Sequence, residues 1–167
     1  KITKGAASIA SGVQEKLFLG NLDAKRDWGH AKDYVRAMWM ILQHEVAEDF
    51  VIATGVTTTV RDFVKMAFRE VGIDLEFIGN GIRERGVISE LKHSYKHLFK
   101  GQEVVVVDRD YFRPTEVDLL LGDAAKAREK LGWYPECSLQ QIVAEMVQQD
   151  VGNLKYDRFQ RFEQIVN

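Results

Sequence analysis

Two short runs in which every residue is apolar set the strongest limits on the fold of this chain. Phe50–Ala53 and Val104–Val107 lack the alternation of apolar and polar residues that a strand with one face in water shows. Such runs are typical of strands covered on both faces, as in a parallel sheet. We therefore expect a mixed α/β layer in which Phe50–Ala53 lies in a mostly parallel sheet whose other strands come from elsewhere.

An amphipathic helix is predicted immediately before the first run. Ala31–His44 carries a wide apolar stripe, which should pack against a large surface. Trp39 also lies in this segment, and we interpret it, with Met38, as a core residue. The stripe comprises Ala31, Tyr34, Val35, Met38, Ile41 and Leu42.

The clearest amphipathic helix follows the first run, over Val60–Val71. Thr59 with Asp62 three residues on resembles a capping box, and Gly72 should end the helix. Further helices are predicted in Lys1–Glu15, from Asp123 to Leu131 with Gly132 at its end, and after Ser138, with strands at Leu17–Leu19 and Leu75–Ile78.

Composition and charge exclude several classes of protein. The 167 residues are 46% hydrophobic and 29% charged, which is ordinary for a globular domain, and the net charge of −2 offers no basic face to nucleic acid. No apolar run approaches the roughly 20 residues that span a bilayer, and Lys1–Val13 lacks the apolar core of a signal peptide. We expect a cytoplasmic protein without a nucleic-acid or membrane partner. Cys137 is the one cysteine, so neither a disulfide nor a cysteine metal site is expected.

A polar loop after Leu17–Leu19 is the first candidate binding feature. Asp23–Asp27 alternates acidic and basic residues, and Arg26 stands between Lys25 and Asp27. A guanidinium held by a neighbouring carboxylate matches the planar oxygens of a phosphate. The alternative is a solvated charged turn, and the local sequence alone favours that alternative.

Two other segments invite functional interpretations that we do not favour. Gly79–Gly86 is glycine-bearing and basic but lacks the P-loop and dinucleotide spacings, so we interpret it as a mobile surface insertion. Glu90, His93 and His97 would share one face of a helix, and a solvated face is a better interpretation than a zinc site.

Three motifs in order resemble the GDP-mannose 4,6-dehydratase family, a group of extended short-chain dehydrogenase/reductases. The first is Leu17-x-Leu19-Gly20-Asn21 followed by Arg26-Asp27-Trp28-Gly29 and Asp33-Tyr34-Val35. The others are Tyr111–Asp118, and Leu121–Ala124 continuing into Lys126–Trp133. The resemblance covers the chain from Lys1 to about Gly152 and is weakest between Gly79 and Gly101.

The resemblance implies an α/β fold, the C-terminal part of an extended short-chain dehydrogenase/reductase. That part holds the last strand and helix of a Rossmann-like sheet and a small mixed α/β substrate-binding domain. Residues 1–152 would form the nucleotide-sugar-binding portion and 153–167 a polar tail, either an interface arm or a frayed end, while the NADP-binding N-terminal portion is absent. The ligand would be GDP-mannose or GDP, the cofactor NADP, and the assembly a homodimer or homotetramer.

The same resemblance assigns binding residues but no catalytic, cofactor-binding or metal residue in this chain. Leu17, Gly20 and Asn21 would lie on the guanosine side, Arg26 and Arg113 would bind the diphosphate, and Glu116 would accept a hydrogen bond from a ribose hydroxyl. None of the five tyrosines has a lysine four residues on, and no glycine fingerprint follows a strand. This portion alone should therefore be inactive.

Other interpretations stay open at this point. The chain would also suit another nucleotide-sugar dehydratase or epimerase, or a non-catalytic module that binds a nucleotide sugar or a protein. For Arg113–Glu116, a tight Arg-Pro turn with a local ion pair is the alternative to a binding role.

Overall fold

A computed structural model describes residues 1–116 and 121–166, with side chains described as far as Tyr156. The second predicted motif therefore extends, at Val117 and Asp118, beyond the described residues. The elements in chain order are α1 Ile2–Ala10, β1 Leu17–Leu19, β2 Lys25–Asp27, α2 Ala31–Gln43, β3 Thr57–Thr59, α3 Val60–Glu70, β4 Ile73–Ile78, a 3₁₀ turn Gly81–Arg83, β5 Arg85–Leu91, β6 Glu103–Val107, α4 Ala125–Leu131 and α5 Leu139–Val166.

The main sheet is mixed rather than mostly parallel. Its order is β1-β6-β5-β4, with β1 parallel to β6 and the other two pairs antiparallel. A separate two-stranded antiparallel ribbon joins β2 to β3 and places Arg26 opposite Thr58. The last three residues of Asp23–Asp27, the segment expected to be a loop, therefore form a strand, because β3 supplies them with main-chain hydrogen bonds.

The hydrophobic core lies among the four-stranded sheet and helices α1, α3 and α5, which contact one another. Helix α3 contributes Phe63, Val64, Ala67 and Phe68, as its amphipathic pattern predicts. Leu17 from β1 belongs to the same cluster and is 2% exposed. The predicted strand Val104–Val107 is confirmed within β6, where Val104, Val105 and Val107 are buried.

A second cluster attaches α2 to the segment between α4 and α5. Trp133 is fully buried against Ala37, and its indole N–H donates to the carbonyl oxygen of Asp33 over 2.9 Å. The Asp33 carboxylate accepts from the backbone N–H groups of Glu136 and Cys137. These bonds satisfy a carboxylate that is almost completely buried and hold one face of α2 in place.

The prediction that Phe50–Ala53 lies in a sheet is wrong for the chain as described. The segment has no strand partner among the described residues, and Val51 is 54% exposed. Helix α2 is likewise less buried than predicted. Core packing was expected for its apolar stripe, but four apolar residues on it are exposed: Val35, Met38, Trp39 and Leu42. We define these four residues, which follow the i, i+3, i+4, i+7 spacing, as the open face of α2.

The interpretation of residues 79 to 97 is also corrected. Gly86, expected in a mobile loop, lies in β5 opposite Val105, where an added Cβ would come within 2.9 Å of the valine Cβ. Glu90 lies in the same strand, whereas His93 and His97 follow it in irregular backbone, so the three do not share a helical face. Within the described part, no group of three or more His, Cys, Asp or Glu residues is arranged to hold a metal ion.

The ends of the chain differ from the predictions in extent. Helix α1 stops at Ala10, and Val13 beyond it is 68% exposed. Helix α5 continues through Val166, so the polar tail predicted from residue 153 has a helical backbone in its described part. No helix in residues 1–116 and 121–166 is both long and apolar enough to cross a membrane.

The predicted cap of α3 is confirmed and gives a first testable expectation. The Thr59 hydroxyl oxygen accepts from the Asp62 N–H over 3.0 Å, and the hydroxyl donates to the Asp62 carboxylate over 2.7 Å. Thr59→Ala leaves the N–H without its partner and should lower the free energy of unfolding by about 1 kcal/mol. Chemical denaturation measures this change, and Thr57→Ala in the same strand is the matched control. Equal effects of the two substitutions would contradict a capping role.

Candidate functional site

Asn21 fixes the segment that carries Arg113. Its side-chain N–H donates to the Arg113 carbonyl oxygen and its side-chain oxygen accepts from the Arg113 N–H, both over 2.8 Å. Together the two bonds imitate a pair of strand residues, although the positions are 92 residues apart. Asn21 therefore positions Arg113, a role that its predicted place beside guanosine did not include.

Gly20 permits this close approach. A Cβ at position 20 would clash with the Tyr111 carbonyl oxygen. The Asp108 N–H also donates to the Leu19 carbonyl oxygen, which extends the pairing of β1 beyond β6. The Gly-Asn pair after β1 is thus explained by two chain segments packing backbone to backbone.

Arg26 and Glu116 form an ion pair between the two segments. Arg26 Nη2 lies 2.7 Å from Glu116 Oε1, and the two side chains are 32% and 16% exposed. The arginine comes from ribbon strand β2 and the glutamate from the segment after β6, which Asn21 holds at Arg113. Three of the predicted residues, Asn21, Arg26 and Glu116, therefore lie together with the backbone of Arg113.

The remaining predicted residues divide into two kinds. Arg113 is an exposed residue whose backbone Asn21 holds, in the segment that carries Glu116. Leu17, by contrast, is 2% exposed and packs in the hydrophobic core, so its side chain faces no ligand surface of this chain. Its contribution is to place β1 and hence Gly20 and Asn21.

Two cavities flank the ion pair. One of about 130 Å³ is lined by Glu116, Phe112, Glu84, Gly81 and residues 21 to 24. Another, of about 400 Å³, is lined by Arg26, Asp27, Tyr34, Leu121, Gly122 and residues 51 to 53. Arg26 borders one cavity and its partner Glu116 the other, so a ligand entering from either side meets one member of the pair.

Asp27, which the sequence suggested only as a carboxylate beside Arg26, organises the neighbouring wall. Its carboxylate accepts from the Thr54 N–H, the Thr54 hydroxyl and the Gly55 N–H, over distances of 3.2, 2.6 and 2.9 Å. Burial, and then the negative charges of Asp27 and Asp33, raise the pKa of the nearby Tyr34 phenol. This tyrosine is therefore a neutral hydroxyl at neutral pH and not a base.

A further cavity of about 650 Å³ lies beside the ribbon and contains none of the six predicted residues. Its lining includes Trp28, Thr58, Lys65, Met66 and Ser138. It has a mixed polar and apolar wall, and it lies between α3 and the start of α5. This cavity is larger than the two beside the ion pair, but it lacks the pairing of charged residues distant in sequence that is found at Arg26 and Glu116.

Comparison with known proteins gives strong sequence similarity. A family model described as GDP-mannose 4,6 dehydratase matches residues 1–146. GDP-mannose 4,6-dehydratase of Sinorhizobium fredii is 54% identical over 158 residues, 95% of this chain and 42% of the relative. The human protein of that name is 48% identical over 151 residues, 90% of this chain and 38% of the relative. The chain thus spans about two fifths of the curated relatives it matches, and the matched portion is their C-terminal part.

Solved structures agree on the fold. RMD from Pseudomonas aeruginosa, complexed with NADPH, aligns with a TM-score of 0.68 at 18% identity, over 91% of this chain and 41% of that one. A dTDP-glucose 4,6-dehydratase from Bacillus anthracis, in complex with NAD, aligns with a TM-score of 0.56 at 19% identity, over 89% and 38%. These likenesses confirm the predicted α/β fold class.

Proposed function

The chain belongs to the GDP-mannose 4,6 dehydratase family, and from that premise we propose that it is the nucleotide-sugar-binding part of an enzyme converting GDP-D-mannose to GDP-4-keto-6-deoxy-D-mannose. The observation that supports this most is the meeting of Arg26, Asn21, Glu116 and the Arg113 backbone, contributed by segments about 90 residues apart. A local charged turn would not need partners so distant in sequence.

The proposed binding mode follows from the chemistry of these groups. The Arg113 and Arg26 guanidinium groups would donate to diphosphate oxygens, since planar donors suit phosphate geometry. The Glu116 carboxylate, oriented by Arg26 before a ligand arrives, would accept from a ribose hydroxyl. Holding the nucleotide in this way supplies binding energy that orients the distant hexose for reaction.

The cofactor is proposed to bind outside this chain. NADP supplies hydride acceptance and return in such a reaction, but the described residues do not fit it: β1 leads through Gly20 into the ribbon, not into a helix N-terminus that would receive a pyrophosphate. We therefore assign the cofactor and the catalytic groups to an N-terminal portion, and call the protein carrying both portions the full-length protein. A cytoplasmic homodimer or homotetramer is proposed for it.

Turnover tests this function directly. The full-length protein, supplied with NADP, should convert GDP-mannose to a product lighter by one water, while dTDP-glucose should remain unchanged. Residues 1–167 alone should convert neither, because their sequence contains no tyrosine with a lysine four residues on and no dinucleotide-binding glycine fingerprint after a strand. Mass spectrometry of the nucleotide sugars measures both results. Conversion of dTDP-glucose with GDP-mannose unchanged would contradict the proposal, and conversion by residues 1–167 alone would contradict the division of roles.

A further inference from the structure

Arg61 connects the two chain segments that carry the proposed binding residues. Its Nε and Nη2 donate to the two oxygens of Glu84 over 2.8 and 2.9 Å, and its Nη1 donates to Asp23 over 2.5 Å. The Glu84 side chain is 6% exposed and that of Arg61 22%. Bidentate pairing of a guanidinium with a buried carboxylate fixes both side chains more firmly than a single contact does.

One end of this connection holds the ribbon that carries Arg26. The Arg61 N–H donates to the Leu22 carbonyl oxygen over 2.9 Å, and the Val60 N–H donates to that of Ala24 over 3.0 Å. With the Asp23 side-chain contact, residues 22 to 24 are held at three successive positions by the start of α3. A two-stranded ribbon is only marginally stable by itself, so this attachment determines where Arg26 lies.

The other end holds the sheet that leads to Glu116. Glu84 immediately precedes β5, and its carbonyl oxygen accepts from the Val107 N–H at the end of β6. The chain continues from β6 through Asp108, which pairs with Leu19, to Arg113 and Glu116. Glu84 also lines the cavity of about 130 Å³ that Glu116 borders, whereas Arg61 does not.

We propose that Arg61 is a positioning residue for nucleotide-sugar binding, which acts by fixing Arg26 relative to Glu116 and Arg113 without touching the ligand. This inference rests on the proposed function. Its basis is that one guanidinium joins Asp23, three residues before Arg26, to Glu84, which immediately precedes β5, the strand paired with β6. The short pairing also lowers the pKa of the Asp23 carboxyl, mainly through its hydrogen bond with Arg61.

Lysine at position 61 is the informative substitution because it keeps the charge but cannot bridge two carboxylates with a planar fork. In the full-length protein, Arg61→Lys should weaken GDP binding by roughly tenfold through misplacement of Arg26, and leave NADP binding unchanged. In an Arg26→Ala background the same substitution should change GDP binding by less than about twofold, because the residue being positioned is gone. Isothermal titration with GDP and with NADP measures this coupling when it is carried out on the parent protein, each single variant and the double variant.

Arg69→Lys is the matched control, since Arg69 lies on the same helix, pairs with Asp74 and is 62% exposed. It should not change GDP binding in either background. If Arg61→Lys does not fold, Asp23→Asn replaces it as the test variant. The Asp23 side chain is 81% exposed, so this substitution should not prevent folding. It should show the same coupling to Arg26, with a smaller loss of about threefold.

The outcomes separate this inference from the proposed function. A loss of GDP affinity by the same factor in both backgrounds would show a purely structural role for Arg61 and overturn the inference alone. Full GDP affinity in Arg61→Lys, or in Asp23→Asn where that variant is used, would do the same. A wild-type full-length protein that binds no GDP would overturn the proposed function and this inference with it.

Discussion

Met38→Glu should destabilise the full-length protein by more than about 3 kcal/mol while changing residues 1–167 alone by less than about 0.5 kcal/mol. Met38 is 62% exposed in this chain, so a carboxylate there stays in water. Glutamate is similar in size and helix propensity to methionine, so the helix itself should tolerate it. If Met38→Glu lowers the free energy of unfolding of the full-length protein more than that of residues 1–167, another part of the protein covers Met38.

The expectation rests on the open face of α2 and the segment that follows that helix. The open face presents four exposed apolar residues at helical spacing, and Val51 is exposed in the run Phe50–Ala53, which has no strand partner among the described residues. A complete protein would cover these apolar groups. Because the relatives are more than twice as long as this chain, we propose that their N-terminal portion is the cover. Phe50–Ala53 would then gain the sheet neighbours predicted from its sequence.

Met146→Glu is the matched control, on helix α5, where the methionine is 44% exposed. It should change the stability of both lengths by a similar amount, since the proposed cover does not reach it. Chemical denaturation of the four variants and two parents gives the comparison. Equal, small effects of Met38→Glu in both lengths would show that the N-terminal portion packs elsewhere. Residues 1–167 alone should also aggregate as their concentration rises, so their denaturation is followed in dilute solution. A cooperative melt that stays monomeric at high concentration would argue against an uncovered face.

The elements that the sequence predicted well are those determined by nearby residues. Thr59 and Asp62 are three positions apart, and Gly132 ends α4 in a left-handed conformation, with φ +66°. The helix cap and the helix end each depend on only a few consecutive residues, so the local sequence predicts them. The strand predicted at Phe50–Ala53 is absent for the opposite reason, because a strand needs a partner from elsewhere in the chain and none of the described residues supplies one.

The candidate site was predicted through resemblance and not through spacing. Nothing local connects Arg26 to Glu116, 90 positions away. The sequence by itself favoured a solvated charged turn at Arg26 and a tight Arg-Pro turn with a local ion pair at Arg113–Glu116. The link from Arg61 to Glu84 was missed altogether, because a side-chain pair between a helix and a sheet leaves no periodic signal. For Asp27 the sequence predicted only a negative charge next to Arg26. The three hydrogen bonds that its carboxylate accepts depend on the positions of Thr54 and Gly55 in the fold.

Arg113→Ala should weaken binding of GDP or GDP-mannose to the full-length protein by roughly ten- to a hundredfold. Each charge-assisted hydrogen bond to phosphate contributes roughly 1.5–3 kcal/mol, and 1.4 kcal/mol corresponds to a factor of ten. The fold should be unaffected, because Arg113 is exposed and its described bonds to Asn21 are made by the backbone. NADP affinity should also be unchanged if the cofactor binds the N-terminal portion.

Two further variants show whether guanidinium geometry or charge alone matters. Arg113→Lys should recover only part of the lost affinity, since it restores the charge without the two-pronged planar donor. Arg109→Ala is the matched control, an exposed arginine four residues earlier in the same segment, and it should bind GDP as the parent does. If Arg109→Ala and Arg113→Ala weaken GDP binding equally, the effect is general electrostatic attraction that added salt will remove. Unchanged GDP affinity in folded Arg113→Ala would show that the diphosphate lies elsewhere, because the loss of a direct hydrogen bond weakens binding even where salt screens long-range attraction.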